Sequence, residues 1–474
     1  MSKVIIVGGG ISGLTAGIYT RRAGHEVLIL EKCATPGGVS TCWKREGYLF
    51  EGGVHWLNGS NPKHDLHRIW TETGALGSNN PIYFKDPVYV LKNRGRDLAI
   101  HRDWKRTLDE LIEASPEDAR TLRRIFRQVN AFRHFQAPVK GVTSIWSYIS
   151  MTPSVLLTPF LWMQSIKHYL SPIRSDSVRM LLESVVDPIN NAVTFAYTLA
   201  AFFWGDSGYP TGGSLRMALN MAKTFTSEGG VIRYNTAVER VEKGAVHLSG
   251  GERLEADAIV ITVDARTAID RFFEKPLQDG WACRMRQELQ TSQCMFIGLG
   301  VKADLNYLPK SMVYALDEPF EAGGLRLNSF IVNNYARDGY APEGCTTVTA
   351  LLPGNSYAWW KAAREDGTYY EKKEDVVRRF IGIIEKIIPE VRGNVAVTDM
   401  ATPLTVQRYC DTFEGSYMSD WPPRKFTNKA PLRYCKGIYF AGQRTAYSGG
   451  LPVAGTTGRE AALEVIKDFP TDRR

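Results

Sequence analysis

Lys3-Val4-Ile5-Ile6-Val7-Gly8-Gly9-Gly10-Ile11-Ser12-Gly13-Leu14 is the stretch on which the reading of this chain turns. Four apolar residues in a row, Val4 to Val7, suit a parallel strand buried on both faces. The run stops at three glycines, and from Ile11 to Ala23 apolar positions recur with helical spacing. Val27-Leu28-Ile29-Leu30 gives a second strand that ends at Glu31. Strand, glycine turn, helix, strand is the context in which G-x-G-x-x-G becomes informative. Each glycine has its own task. Gly8 makes the tight turn, Gly10 lets a pyrophosphate approach the backbone, and Gly13 lets the helix lie close on the strand. The first helical residues, Ile11 and Ser12, offer free N–H groups and the positive end of the helix dipole to phosphate. Glu31, followed by Lys32, can accept hydrogen bonds from both ribose hydroxyls of an adenosine and would repel a 2′-phosphate. The segment is expected to hold a dinucleotide, with NADP disfavoured.

Working outward, two further glycine-rich blocks stand at the right distance to complete such a site. The first runs Pro36-Gly37-Gly38-Val39-Ser40-Thr41, then Gly47-Tyr48-Leu49-Phe50-Glu51-Gly52-Gly53-Val54-His55. The second, near the C-terminus, runs Gly437-Ile438-Tyr439-Phe440-Ala441-Gly442 and Gly449-Gly450-Leu451-Pro452-Val453-Ala454-Gly455. Paired glycines leave backbone bare enough to lie against a pyrophosphate or a ring edge. A helix starting near Pro452 would aim its N-terminus at a bound ring and stabilise negative charge there.

With all three blocks in view, the chain resembles the phytoene desaturase, carotenoid isomerase and retinol saturase group of FAD-dependent oxidoreductases. Tyr209-Pro210-Thr211-Gly212-Gly213, Val238, Ala341-Pro342-Glu343-Gly344, Thr402-Pro403-Leu404-Thr405 and Arg408-Tyr409 extend the resemblance over most of the length. It implies FAD as cofactor, with Val238 beside the adenine and Gly442, Gln443, Leu451, Pro452 and Val453 around the flavin end. It also implies hydride transfer at carbon–carbon bonds of a polyene, terpenoid or similar lipid, by desaturation, saturation or redox-assisted isomerisation. One departure stands out: many relatives carry Asp after the Ala-Gly pair, where this chain has Gln443 and Arg444.

The two nucleotide-binding ends lie far apart in sequence, so the cofactor domain must be discontinuous. The expected class is α/β: a two-part Rossmann-type FAD-binding domain, glutathione-reductase-like and of the amine-oxidase superfamily. It would comprise residues 1–102, 205–265 and 400–474. A mixed-sheet substrate domain at 266–399 and a helical, aromatic-rich subdomain at 103–204 would be inserted in it. In that subdomain Ile145, Trp146, Tyr148, Ile149, Met151, Val155, Leu156, Leu157, Phe160, Leu161, Trp162 and Met163 crowd together between Pro153, Pro159 and Pro172. Two readings stay open, a packed helical core or a membrane-contacting pair of helices beside a substrate tunnel, with Lys167, His168 and Arg174 at the headgroups.

No nucleophile or triad declares itself, and hydride transfer to a flavin needs none, because the cofactor carries that chemistry. His55 is the leading candidate for a proton donor or polar anchor, with a structural histidine as the alternative; Tyr447 and Arg408 are further candidates for the same pocket. A second G-x-G-x-x-G after a strand is missing, so the electron partner, whether oxygen, a quinone or a nicotinamide, is left open.

Composition narrows the class further. At 474 residues, 44% hydrophobic and 23% charged, the chain can bury two or three cores. The net charge of +8 is spread in short clusters rather than a stripe, which argues against nucleic acid. Seven scattered cysteines form no C-x-x-C pair, and eight histidines form no H-x-x-x-H pair. Neither a disulfide framework nor a metal site is expected, and a reducing, cytoplasmic setting is, with peripheral membrane contact open. Two other functions share this architecture: a flavin amine oxidase, and a non-catalytic prenyl carrier of the GDP-dissociation-inhibitor type.

Overall fold

The computed structural model describes residues 1–93, 95–187, 189–421, 432–446 and 449–471. Its apolar runs lie side by side in a six-stranded sheet. The order is Arg433–Cys435, Ile438–Phe440, Ala258–Ile261, Lys3–Val7, Glu26–Leu30 and Val231–Arg233. All neighbours are parallel except the first pair. Val4 pairs with both Val27 and Ala258, and Ile259 pairs with Ile438. A strand from the start of the chain thus abuts one from the middle, which abuts one from near the end.

Burial of Val4 to Val7 follows from cover on both faces. Val4 and Ile6 pack with Leu14, Ile18, Met221, Phe225, Ala461 and Val465, from helices Ile11–Arg22, Gly213–Ser227 and Gly450–Asp468. Ile5 and Val7, pointing the other way as strand pleating requires, pack with Val246, Ala268 and Ile269. The second face is covered by helix Ala265–Arg271 and by a three-stranded antiparallel sheet, Val238–Glu242, Ala245–Leu248 and Arg253–Glu255. At the turn, Gly8 has φ of 105°, a left-handed value that suits glycine. A Cβ at Gly13 would stand 2.0 Å from the Gly8 carbonyl oxygen, so the helix seats where only glycine fits.

A second sheet has seven strands in the order Val395–Ala401, Cys294–Val301, Thr346–Pro353, Leu325–Asn334, Ser311–Ala322, Tyr89–Lys92 and Leu98–Ile100. It is mixed: Ser311–Ala322 and Tyr89–Lys92 are parallel and the other pairs antiparallel. The last two strands come from the stretch expected to serve the dinucleotide, yet they hydrogen-bond here, with Met312 opposite Val90. Helix Tyr369–Ile387 covers one face through Val376, Phe380 and Ile384.

The aromatic-rich region folds as a helical layer: Trp104–Ala114, Ala119–Ala131, Ile145–Ser150, Thr152–Trp162, Ile166–Leu170, Asp176–Glu183 and Ala192–Phe203. Its core of Leu122, Phe126, Leu181, Phe195 and Leu199 joins Tyr89, Leu91 and Val313 of the mixed sheet. Both readings of its apolar stretch find residues here. Leu161 and Trp162 turn inward, while Trp146, Leu156 and Phe160 stand 75%, 67% and 70% exposed. Among the described residues no helix is long and apolar enough to cross a membrane.

Candidate active site

Between the six-stranded sheet, the mixed sheet and the helical layer lies a cavity of about 920 Å³. It collects nearly every residue expected to touch a cofactor. Gly8, Gly10, Ile11, Ser12, Glu31, Lys32, Gly37, Gly38, Val39, Ser40, His55, Val238, Gly442, Gln443, Leu451, Pro452 and Val453 all line it. Gly13 does not, because it is spent on packing the helix against Gly8.

The local chain explains how three distant blocks reach one place. The Gly37 amide donates to the Gly9 carbonyl at 3.0 Å, which lays the second block beside the first turn. Helix Ile11–Arg22 begins at Gly10 with no side-chain cap and no acidic residue in its first turn. Helix Gly450–Asp468 likewise starts uncapped, and residues 449–454 line the cavity. Two helix N-termini therefore open onto the same space, and the first amide of the second, Gly450, is held by Gln443.

A dinucleotide fits these residues on observations of the site itself. The hydroxyls of Ser12 and Ser40 are buried and have no hydrogen-bond partner among the described residues, although both side chains belong to cavity-lining positions. Buried hydroxyls are rarely left unpaired, and a diphosphate placed between them would accept from both. At the end of Glu26–Leu30, Glu31 is pinned by the Gly9 amide at 2.6 Å and the Cys33 amide at 2.8 Å. Burial raises its pKa, against the lowering pull of those two amides.

Several candidates turn out to be placed differently from their expected use. The Lys32 ammonium donates to the Arg408 carbonyl at 2.8 Å and pairs with Asp411 at 2.8 Å, clamping helix Pro403–Cys410 onto the sheet end. Arg408 itself is exposed, its guanidinium over the Tyr409 ring, and it does not line the cavity; the last turn of its helix points it outward. Tyr447 lies outside the described residues. Gln443 spends both ends of its amide on the protein: Nε2 donates to the Tyr417 carbonyl and Oε1 accepts from the Gly450 amide, each at 3.0 Å. Arg444 is buried against Asp264 at 2.6 Å and also donates to Ser416.

His55 reaches the cavity wall with its Nδ1 buried and without a partner among the described residues. Burial, then the nearby ammonium groups of Lys85 and Lys310, pushes its pKa down to about 3, so the ring is neutral. Burial likewise lowers Lys85 to about 7 and Lys310 to about 8. Lys85 donates to the Ser311 hydroxyl at 3.0 Å, which donates to Asn333 Oδ1 at 2.7 Å, and Asn333 lines the cavity. Lys310 is ion-paired with Asp338.

Residues not proposed as site residues from the sequence also shape this site. Glu51, fully buried, accepts from the amides of Gly53, Val54 and Ser214 and from the Tyr340 hydroxyl. It thereby fixes the Gly52-Gly53 edge of the cavity. Asp187 accepts from the hydroxyls of Tyr417 and Ser292, and Asp187 and Tyr417 both line the wall. Glu51 was visible beside its glycine pair, but Asp187 and Tyr417 come together only in three dimensions.

Residues 11–466 match the family model described as flavin containing amine oxidoreductase. A prolycopene isomerase of Daucus carota is 23% identical over 454 residues, covering 87% of this chain and 71% of its own. An all-trans-retinol 13,14-reductase of Danio rerio is 22% identical over 525 residues, covering 96% of this chain and 85% of its own. The solved structure of cyclohexylamine oxidase from Brevibacterium oxydans has a TM-score of 0.65 at 17% identity, covering 99% of this chain and 100% of that one. At that identity the likeness speaks for the fold, and it bears out the α/β class read from the glycine turn. The cofactor is FAD. The chain belongs to the family of flavin-containing amine oxidoreductases, as an FAD-dependent oxidoreductase.

Proposed function

We propose that this enzyme acts on carbon–carbon bonds of a long apolar molecule, a polyene, terpenoid or similar lipid, by desaturation, saturation or redox-assisted isomerisation. The observation that carries this reading is the continuity of the cofactor cradle with an apolar chamber. Phe135, Trp162, Met180, Val186, Val193 and Tyr197 of the helical layer line the same cavity as the glycine turn. Such a wall gains from removing apolar surface from water, and offers little to a small polar substrate. The two relatives named above act, by their names, on a carotenoid and a retinoid.

When bound, FAD supplies hydride transfer at its N5. The chain's own groups position and shield. Backbone amides at the start of Ile11–Arg22, with the Ser12 and Ser40 hydroxyls, hold the diphosphate; Glu31 takes the ribose hydroxyls; and Val238 lies at the adenine. Gly442 and residues 451–453 meet the flavin end, where the open start of Gly450–Asp468 favours negative charge. Gln443 and Lys32 serve by bracing the two edges of the cradle. His55, neutral, serves as a polar anchor that makes a hydrogen bond through Nδ1, and it is no cationic acid at neutral pH. By this division the six-stranded sheet with its helices is the cofactor domain, and the mixed sheet and helical layer frame the substrate.

We further propose that the exposed face of Ile145–Ser150 and Thr152–Trp162 rests on a lipid surface, from which an apolar substrate would enter. Contiguous exposed apolar groups of this size mark interaction sites, and the net charge of +8 favours an anionic bilayer.

The test is anaerobic incubation of the flavin-loaded enzyme with long polyenes presented in vesicles. A change in polyene absorption that depends on the flavin's redox state, with oxidised flavin consumed in desaturation, reduced flavin consumed in saturation and neither consumed in isomerisation, supports the reading. Turnover of small amines with no effect on any polyene would overturn it.

A further inference from the structure

We infer that the substrate is not a plain hydrocarbon: the cavity wall around Glu183, Asp187 and Asn190 is built to receive a hydrogen-bond-donating end group, a hydroxyl or a primary ammonium, with Asn190 Oδ1 and the Glu183 carboxylate as acceptors. This rests on the reading of the cavity as an apolar substrate chamber and names the one polar feature that such a substrate carries.

Helix Asp176–Glu183 ends at the cavity, and the chain then crosses its wall, so that Glu183, Asp187 and Asn190 all line the same space. Their acceptors are in different states. The Asp187 carboxylate is occupied: it takes the Tyr417 hydroxyl, the Ser292 hydroxyl at 2.7 Å and the Ile189 amide at 3.0 Å. Asn190 is 2% exposed, and its Nδ2 donates to the Asp187 carbonyl at 3.1 Å, which fixes the amide orientation. Its Oδ1 is thereby left buried with no donor among the described residues. Glu183 is half-buried and its carboxylate has no hydrogen bond or ion pair among the described residues. Burial raises its pKa, and the more distant charges of Arg179 and Lys167 only partly oppose this.

A buried carbonyl without a donor is a standing cost, and a carboxyl group beside apolar walls adds to it. A hydrocarbon filling the chamber would take water from the Glu183 carboxylate and leave the Asn190 acceptor as unpaired as before. A donor on the ligand satisfies them, and a site with such acceptors rejects an analogue lacking the donor. Both free groups are acceptors, which selects a hydroxyl or an ammonium over a carboxylate or an ester.

The experiment uses flavin-loaded enzyme, anaerobically, with three probes: one conjugated polyene chain ending in a hydroxyl, in a primary ammonium, or in a methyl group. Dissociation constants are read from the flavin absorption shift and tryptophan quenching, for the wild type, Asn190→Leu and Glu183→Gln. The donor-bearing probes should bind at least about tenfold tighter than the methyl probe. Asn190→Leu should erase most of that preference. Glu183→Gln should weaken the ammonium probe far more than the hydroxyl probe, which tells the two end groups apart. If Asn190→Leu does not fold, the half-buried Glu183→Gln carries the test alone. Equal binding of all three probes, or an unchanged preference in the folded variants, overturns this inference and leaves the apolar chamber standing. Binding of none of them overturns the chamber reading, and this inference with it.

Discussion

The Tyr340 hydroxyl donates to Glu51 Oε2 at 3.1 Å, joining the loop between strands Leu325–Asn334 and Thr346–Pro353 of the mixed sheet to the glycine pair at the cavity edge. Glu51 is fully buried and also accepts three backbone amides. Replacing it with alanine strands those donors. Glu51→Ala should lower unfolding stability by roughly 3 kcal/mol. Urea titration followed by tryptophan fluorescence checks this, and flavin should be lost before the protein unfolds.

Gly13 offers a sharper steric test. Its missing Cβ would lie 2.0 Å from the Gly8 carbonyl oxygen, a backbone atom that cannot yield without moving the turn. Gly13→Ala should cost at least about 2 kcal/mol through overpacking and give protein with little bound FAD. The ratio of flavin to protein absorbance measures it directly.

Glu31 tests the ribose contact. Glu31→Arg removes the acceptor for the Gly9 and Cys33 amides and places a cation where ribose hydroxyls are expected. FAD affinity should fall by about one to two orders of magnitude. Quenching of FAD fluorescence on titration into apoprotein is the readout, and unchanged affinity would count against the assignment.

His55 makes a prediction with a defined sign. Its folded pKa, about 3, lies below the usual imidazole value, so the unfolded chain binds a proton in the acid range that the folded chain refuses. Stability therefore falls as pH drops through the unfolded pKa, and continues to fall until the folded pKa is reached. Going from about pH 7 to about pH 5, the wild type should lose about 2 kcal/mol more than His55→Gln. Unfolding curves for the two proteins at both pH values settle it.

If the exposed apolar face meets a membrane as proposed, Trp146→Glu combined with Phe160→Glu should abolish flotation with anionic vesicles. Flavin content and melting temperature should stay put, because both side chains are exposed. Retained flotation would mean that the apolar face serves something else.

What was legible in the sequence was local. The glycine turn, its flanking strands and the C-terminal block depend on backbone conformations that few residue types permit, so they show in one dimension. What was not legible depends on partners far apart in the chain. Nothing near Tyr89 or Leu98 says that those strands add to the mixed sheet, since their register is set by Met312 and its neighbours. Arg408 looked like a pocket residue because it follows a family-like segment, but the helix phase turns it outward. Gln443 replaced an expected acid, and its role became clear only once Tyr417 and Gly450 were found at its two ends. Trp146 and Trp162 sit in one apolar run and differ by orientation alone, one outside and one in the core.

The pairing of Lys3–Val7 with Ala258–Ile261, and of the latter with Ile438–Phe440, also sets a timetable for biogenesis. During synthesis the glycine turn is made long before its mid-chain partner Ala258–Ile261, and longer still before Ile438–Phe440 and the closing helix Gly450–Asp468. Until then the nascent chain has no complete pocket to fill and a bare apolar strand to protect, which invites chaperone attendance. Cofactor capture is thus deferred until the closing helix has been made, and a polypeptide truncated before that helix should be colourless and aggregation-prone.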